Sequence, residues 1–366
     1  MKLTISQPQF LRSLQTIERA VNDRSALPIL ANVLLETKNK ELVLTATDLD
    51  VGVQCRFPLT EAVEPGAVTI PARRLVSIIR ELPEEPLTLE TKNNHTAILT
   101  CGASRFRIPG LPAEDFPVLP PLDAPQAATI AQPLLKRAVA MTMFAMSIEE
   151  TRFVLNGALL RISGNTLTMV ATDGRRLAMA QEPVSGAAGD VSVIMPSKTV
   201  RELSRLLQDD ADDPVTIAPL KDNQLVFRFG ASTLITRLIE GQFPNYQQVI
   251  PAPSTAALTC SRALLTSAIR RASLMTTAAS QAVVFEIAAD RLTVSKESPD
   301  VGSAKEELPA TYTGSPMTIA FNPEFWLDAL KVLETDEATI ELSSPEKPAV
   351  IRLPNFVYLV LPMKLA

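Results

Sequence analysis

Few residues in this 366-residue chain suit covalent chemistry. There is one histidine, His95, so a paired-histidine metal site or a serine–histidine–aspartate relay has almost nothing to draw on. His95 follows Lys92-Asn93-Asn94, a turn-forming cluster, and reads as a hairpin tip. The acidic run Asp209, Asp210, Asp212 and Asp213 lacks the central glycine and closing glutamate of a calcium loop, and reads as a solvated helix-to-strand turn. No Gly-x-x-x-x-Gly-Lys-Ser/Thr loop and no Gly-x-Gly-x-x-Gly turn offers backbone amides to a phosphate. The three cysteines, Cys55, Cys101 and Cys260, are odd in number and far apart, as expected of free thiols in a reducing cytosol. The N-terminus lacks the apolar core of a signal peptide, and no apolar run is long enough to span a bilayer, so a cytoplasmic chain without membrane attachment is expected. Enzymatic activity is the poorest of the available readings.

The chemistry that remains is ionic, and it is arranged by an internal repeat. Turns centred on Asn39, Gly164 and Ala289 each lie between two apolar strand-like runs and follow one another at intervals of 125 residues. Strand-to-helix junctions at Pro71, Pro196 and Phe321 keep the same interval, and Thr47-Asp48 recurs as Thr172-Asp173. Each repeat opens with an amphipathic helix, Phe10 to Val21, Leu134 to Met146 and Leu264 to Met275. Helix, paired strands, second helix and further strands make an α+β unit whose helices pack on antiparallel sheets. The expected domains are 1–123, 124–252 and 253–366, joined by proline-rich connectors near 109–125 and 238–254.

The net charge is −5, yet charge is segregated. The six predicted helices (8–22, 72–82, 133–147, 197–208, 262–275 and 323–333) hold fourteen basic and five acidic residues. They carry +9, which leaves −14 for the rest of the chain. Helices with apolar faces on sheets turn such residues outward, toward a polyanion. Few aromatics accompany them, so salt-dependent contact with duplex phosphates is expected rather than base stacking.

Several motifs, in order, resemble a known family. They include Arg24 with Leu27-Pro28-Ile29-Leu30, Thr45-Ala46-Thr47-Asp48-Leu49, Pro71-Ala72-Arg73, Ser104-Arg105-Phe106 and Phe116-Pro117. Arg152-Phe153-Val154-Leu155-Asn156-Gly157, Val170 through Ala178, Phe243-Pro244-Asn245-Tyr246 and the terminal Leu361-Pro362-Met363-Lys364-Leu365 complete the set. Together they resemble the bacterial replicative sliding clamps, the beta subunits of DNA polymerase III, along essentially the whole sequence.

The resemblance implies three clamp domains per chain and a head-to-tail homodimer closing into a ring around double-stranded DNA, held without sequence preference or cofactor. It implies DNA contact at Arg24 and Arg73. The helical cations Arg74, Arg80, Lys136, Arg137, Lys198, Arg201 and Arg205 are expected to join them. Family contacts also fall on Glu149, Phe153 and Val154, where the glutamate and the valine depart from the polar and aromatic residues familiar there. A groove for short peptides of the replicative polymerase, the clamp loader and other partners is implied at Arg152, Leu155, Thr172, Gly174, Arg175, Arg176 and Leu177. Its other wall is implied at Pro244, Val249, Leu359, Val360, Pro362 and Met363. Arg175 stands where a histidine is common and Gln248 where a basic residue is. The implied dimer contact sets Phe106 of one chain against Leu274 and Met275 of the other. The competing reading is a non-catalytic peptide-docking scaffold of the same fold that is not loaded on DNA.

Overall fold

The 125-residue interval reappears as three runs of eight strands and two α-helices among the described residues. The structure is a computed structural model that describes residues 1–21, 25–59, 64–120, 128–186 and 189–364. Arg24 and Leu365 therefore lie outside the described residues.

The first run comprises β1 (Lys2–Ser6), α1 (Gln7–Ile17), β2 (Asn32–Lys38), β3 (Glu41–Thr47) and β4 (Val51–Pro58). It continues with β5 (Gly66–Pro71), α2 (Ala72–Glu81), β6 (Pro86–Thr91), β7 (Thr96–Cys101) and β8 (Ser104–Pro109). The second comprises β9 (Ala128–Ala131), α3 (Gln132–Met143), β10 (Gly157–Ser163), β11 (Thr166–Thr172) and β12 (Arg176–Pro183). It ends with β13 (Val191–Pro196), α4 (Ser197–Leu206), β14 (Pro214–Leu220), β15 (Gln224–Phe229) and β16 (Ser232–Arg237). The third comprises β17 (Ala257–Ser261), α5 (Arg262–Ser273), β18 (Val283–Ile287), β19 (Arg291–Ser298) and β20 (Gly302–Tyr312). It closes with β21 (Met317–Phe321), α6 (Pro323–Val332), β22 (Glu337–Glu341), β23 (Ala349–Leu353) and β24 (Phe356–Val360).

Local chemistry explains the punctuation. Asn39 and Lys40 both take positive φ between β2 and β3, the conformation of a tight hairpin turn, and Gly164 does so between β10 and β11. His95 takes a φ of 59° at the tip joining β6 to β7, where its type and neighbours placed it. The acidic run lies between α4 and β14, and its last member, Asp213, accepts a hydrogen bond from Gln132 Nε2 at 2.9 Å. Helix α2 buries Ala72, Leu75, Val76 and Ile79 and exposes Arg73, Arg74 and Arg80, which is the three-and-four spacing of an amphipathic helix.

The chain forms two compact units, and their limits differ from those of the repeats. One holds Met1–Pro133, Val184–Gly189 and Arg205–Leu238; the other holds Leu134–Pro183, Asp190–Ser204 and Ile239–Ala366. Backbone hydrogen bonding is the reason. In the first unit, β4 pairs antiparallel with β16, so an eight-stranded sheet runs in the order β5-β2-β3-β4-β16-β15-β14-β9. A four-stranded sheet, β1-β6-β7-β8, completes that unit. In the second unit, β12 pairs with β24, and the sheet extends through twelve strands. The second repeat is thus divided between two sheets, each shared with a neighbouring repeat.

Aromatic packing fills the core of the second unit. Trp326 meets Phe285, Phe321 and Tyr358 with ring centroids 5.3–6.4 Å apart, in one stacked and two edge-on contacts. Tyr358 is satisfied by donating its hydroxyl to Phe325 O at 2.7 Å, and burial pushes its pKa up. Among the described residues no helix is long and apolar enough to cross a membrane, and no group of three or more metal-ligating side chains forms.

All three cysteines are unpaired and buried. Burial raises the Cys55 pKa, and burial together with Glu337 raises that of Cys260 to about 12. Only the thiolate is nucleophilic, and at about pH 8 a group with that pKa is ionised in roughly one molecule in ten thousand. Iodoacetamide at about pH 8 should leave Cys260 unmodified in the folded protein and label all three cysteines in concentrated guanidinium chloride, as read by mass spectrometry. Rapid labelling of folded Cys260 would instead mean that β17 opens to solvent.

Candidate functional site

The pairing of β12 with β24 builds a site. Its register sets Arg176 opposite Val360 and Leu177 opposite Leu359, and Leu361 N–H extends the ladder by donating to Arg175 O at 2.9 Å. Leu177 and Leu359 project from one face of the sheet into a cluster with Leu159, Val170, Val350 and Val357. The segment following β16 folds over that face, with Phe243, Tyr246 and Ile250 packed against the cluster. Between them is a cavity of about 200 Å³ lined by Leu155, Thr172, Gly174, Arg175, Arg176 and Leu177 on one side. Pro244, Asn245, Tyr246, Val249, Leu359 and Leu361 line the other. The walls are mainly aliphatic and accessible from solvent, with Val249 and Leu361 exposed at the rim.

The turn at one end is held by side chains. Thr172 Oγ1 donates to Arg176 O at 2.6 Å and accepts from Gly174 N at 3.1 Å. The Asp173 carboxylate accepts from the N–H groups of Arg175 and Arg176 at 2.9 and 3.0 Å. Gly174 has a φ of +85°, which favours glycine, and a Cβ there would lie 2.8 Å from Arg152 Nη1, so a larger residue would be strained and would displace that guanidinium. Arg152 Nη1 donates to Asp173 O at 2.8 Å, and its Nε lies 3.1 Å from Glu149 Oε2.

Arg176 is anchored more completely. Its Nε donates to Asp173 Oδ2 at 3.0 Å, Nη1 to Asp328 Oδ2 at 2.7 Å and Nη2 to Phe144 O at 2.7 Å. The guanidinium also lies over the Phe325 ring, 4.3 Å from its centroid. Burial disfavours its charge, but Asp328, Tyr358 and Asp173 outweigh that and raise its pKa. This arginine therefore binds the groove turn to α6.

Nine of the thirteen expected groove positions line this one cavity, and four do not. Arg152 sits behind Gly174. Val360 is fully buried because strand alternation turns it to the face opposite Leu359. Pro362 and Met363 lie past the strand, where Met363 N–H donates to Ala320 O at 2.7 Å. Asn245, Tyr246 and Leu361 line the cavity without having been singled out, although all three lie inside motifs quoted for the resemblance.

The cations expected to meet DNA divide in two. Arg73, Arg74 and Arg80 are exposed on α2, Arg201 is exposed on α4, and Lys136 and Lys198 are half-buried. Arg137 and Arg205 are turned to the protein. Arg137 makes two 2.8 Å hydrogen bonds to the Glu182 carboxylate, which is 2 % exposed and requires a counter-charge. Arg205 donates to Gln15 O and Thr16 O at 3.1 and 2.6 Å, satisfying carbonyls at the C-terminal end of α1. Phe106 is 36 % exposed on β8, and Leu274 is 69 % exposed just after α5. Met275 follows, with its sulfur beside Gly302 at the start of β20.

Replacing Arg176 with methionine would keep an unbranched apolar stem and leave Asp173 and Asp328 without their cation. Asp328 is partly exposed, so the cost should be about 2–3 kcal/mol, at or below the bottom of the range for a fully buried pair. A lowered denaturant midpoint with retained circular dichroism checks this; an unchanged midpoint would show that the network does not hold the turn.

Family models for the DNA polymerase III beta subunit match three consecutive stretches: the N-terminal domain at residues 1–120, the central domain at 129–245 and the C-terminal domain at 247–364. The chain is 34% identical to the beta sliding clamp of Chlamydia muridarum, over all of this chain and 99% of that one. It is 33% identical to the beta sliding clamp of Escherichia coli K12 over the full length of both. The crystal structure of the DNA polymerase III subunit beta from Pseudomonas aeruginosa superposes over the whole of both chains with a TM-score of 0.94 at 33% identity. A sliding clamp from Bartonella birtlesii, crystallised bound to griselimycin, does so with a TM-score of 0.93 at 34% identity. This chain belongs to the DNA polymerase III beta subunit family, the bacterial sliding clamps.

Proposed function

We propose that this chain is a DNA sliding clamp and processivity factor with no catalytic step. Two copies close head to tail into a ring around duplex DNA. Each tethers partners, the replicative polymerase and the clamp loader among them, by short peptides seated in the groove. The three domains divide near residues 123 and 252. The setting proposed is the bacterial cytoplasm, in keeping with three unpaired thiols.

One observation carries the ring. The fourth strand of the first repeat, β4, pairs with the eighth of the second, β16. The fourth strand of the second repeat, β12, pairs with the eighth of the third, β24. The same step taken once more pairs the fourth strand of the third repeat, β20, with the eighth of a first repeat, β8, in a second copy. Both strands have the open edge this needs. β8 pairs only with β7, and β20 pairs with β17 only through Ala310–Tyr312, which leaves one side of its first part without a partner strand among the described residues. β8 carries Arg105 and Arg107, while β20 carries Lys305, Glu306 and Glu307, with Glu306 held by Arg271 and Glu307 by Lys305. Phe106 on the first and Leu274 beside the second supply exposed apolar surface. With two copies the step closes, so neither of these two edges is left to polymerise.

A ring held by topology needs only weak, exchangeable phosphate contacts, and the exposed cations of α2 and α4 are of that kind. Retention on nicked circular DNA, measured after loading and again after one cut linearises the circle, tests the reading. Loss on linearisation is expected. Equal retention on both forms would mean ordinary affinity binding, and none on either, with an active loader present, would favour a docking scaffold that is not loaded.

Phe106→Ala tests the interface. Burial of a phenylalanine contributes about 2 kcal/mol at each of the two contacts in the ring, about 4 kcal/mol in all, so the dimer Kd should rise roughly a thousand-fold. Sedimentation at several concentrations reads this directly, and an unchanged dimer would remove β8 from the interface.

A further inference from the structure

The turn at the end of the groove commits its polar side chains within the chain, with one charged exception. Thr172 has both its donor and an acceptor in use within the turn. The Asp173 carboxylate accepts from two backbone amides and from Arg176 Nε. Every nitrogen of the Arg176 guanidinium donates to a protein oxygen, and Arg152 is held by Asp173 O and Glu149. Arg175 differs. Its main chain is fixed at both ends, since its N–H donates to Asp173 and its carbonyl accepts from Leu361. Its side chain lines the cavity and is exposed, and the guanidinium has no hydrogen-bond or ionic partner among the described residues. No carboxylate lines the cavity to neutralise it.

We infer that Arg175 is the specificity-determining residue of the groove: among peptides with apolar anchors, it selects those carrying an aspartate or glutamate beside them. The inference rests on the groove reading proposed above. A guanidinium on a rigid main-chain position, next to aliphatic walls, offers two parallel N–H donors to a carboxylate. Such a contact forms at a partly desolvated rim, where it is stronger than in bulk water, and it repels peptides with lysine or arginine at the same place. Neutral peptides still fill the apolar walls but gain nothing from Arg175.

A random decapeptide display library panned against the full-length protein and two variants separates the outcomes. Arg175→Gln keeps the main-chain hydrogen bonds and removes the charge. Val249→Trp plugs the cavity from its exposed rim without adding charge. Peptides recovered on the unmodified protein and lost on Val249→Trp should combine apolar residues with an aspartate or glutamate. On Arg175→Gln the apolar residues should persist and the acidic bias should vanish. For the leading peptide, changing its acid to the amide should weaken binding about ten-fold on the unmodified protein and less than about two-fold on Arg175→Gln, by fluorescence anisotropy. Recovery of Val249-sensitive apolar peptides without acidic bias, or a bias that survives Arg175→Gln, overturns the role of Arg175 and leaves the groove standing. Absence of any Val249-sensitive peptide overturns the groove reading and this inference with it.

Discussion

Much of what this molecule presents depends on one backbone ladder, the antiparallel pairing of β12 with β24. The two strands are far apart in sequence and belong to different repeats, yet their register brings Leu177 against Leu359 and Arg176 against Val360. A slip of one residue would send Leu177 and Leu359 to opposite faces of the sheet and abolish the apolar floor of the groove. Arg176 reinforces the register, because its guanidinium reaches Asp328 and Phe144 O only from this position. The buried Arg137–Glu182 pair acts at the far end of the same strand, where Asn355 Nδ2 also donates to Glu182 Oε1 at 3.2 Å. The strand is therefore fixed near both ends by charged groups with several partners each, and between them by packing.

The turn that precedes β12 shows how a structural repeat becomes a site. In the first repeat, Thr47 Oγ1 donates to Val51 O and accepts from Leu49 N, while Asp48 Oδ1 accepts from the amides of Asp50 and Val51. Thr172 and Asp173 make the same set of bonds 125 positions later. The turn itself is thus scaffold. What differs is the residue at positive φ, Leu49 with 81° in one copy and Gly174 with 85° in the other. Leucine accepts a strained conformation there, whereas glycine removes the strain and leaves room for Arg152. Function entered through the neighbours of the turn while its hydrogen bonding stayed the same.

The sequence was legible wherever a property repeats along the chain. Turn residues at Asn39 and Gly164, prolines at the strand-to-helix junctions and three-and-four spacing placed the hairpins and all six helices to within a few residues. The lining of the cavity was legible in motifs, because Thr172-Asp173-Gly174 and Pro244-Asn245-Tyr246 are local. What escaped depends on register and on distant partners. Val360 and Leu359 are adjacent apolar residues that composition cannot tell apart, and only the pleat decides which faces the cavity. Arg137 and Arg205 look like their exposed neighbours until Glu182 and the end of α1 are brought beside them. The division of the second repeat between two sheets leaves no mark in any single strand, since an edge that pairs with another repeat reads like any other strand.

The fate of the arginines separates two kinds of recognition in one chain. Where the protein must hold a shape, as at Arg176, Arg137 and Arg205, the guanidinium is consumed by carboxylates and carbonyls of the chain itself. Such groups are less free to follow a moving partner, because releasing them would leave the chain's own carboxylates and carbonyls without that partner. Along α2 the arginines are exposed to solvent, as suits the exchangeable phosphate contacts proposed for them. Arg175 combines the two conditions, with a main chain fixed by Asp173 and Leu361 and a side chain left uncommitted. A rigid mount with an available charge suits selection among partners that stay bound, and a flexible array of charges suits a track that must not be gripped. The same residue type serves both ends because its surroundings decide how much of its hydrogen-bonding capacity is left to offer.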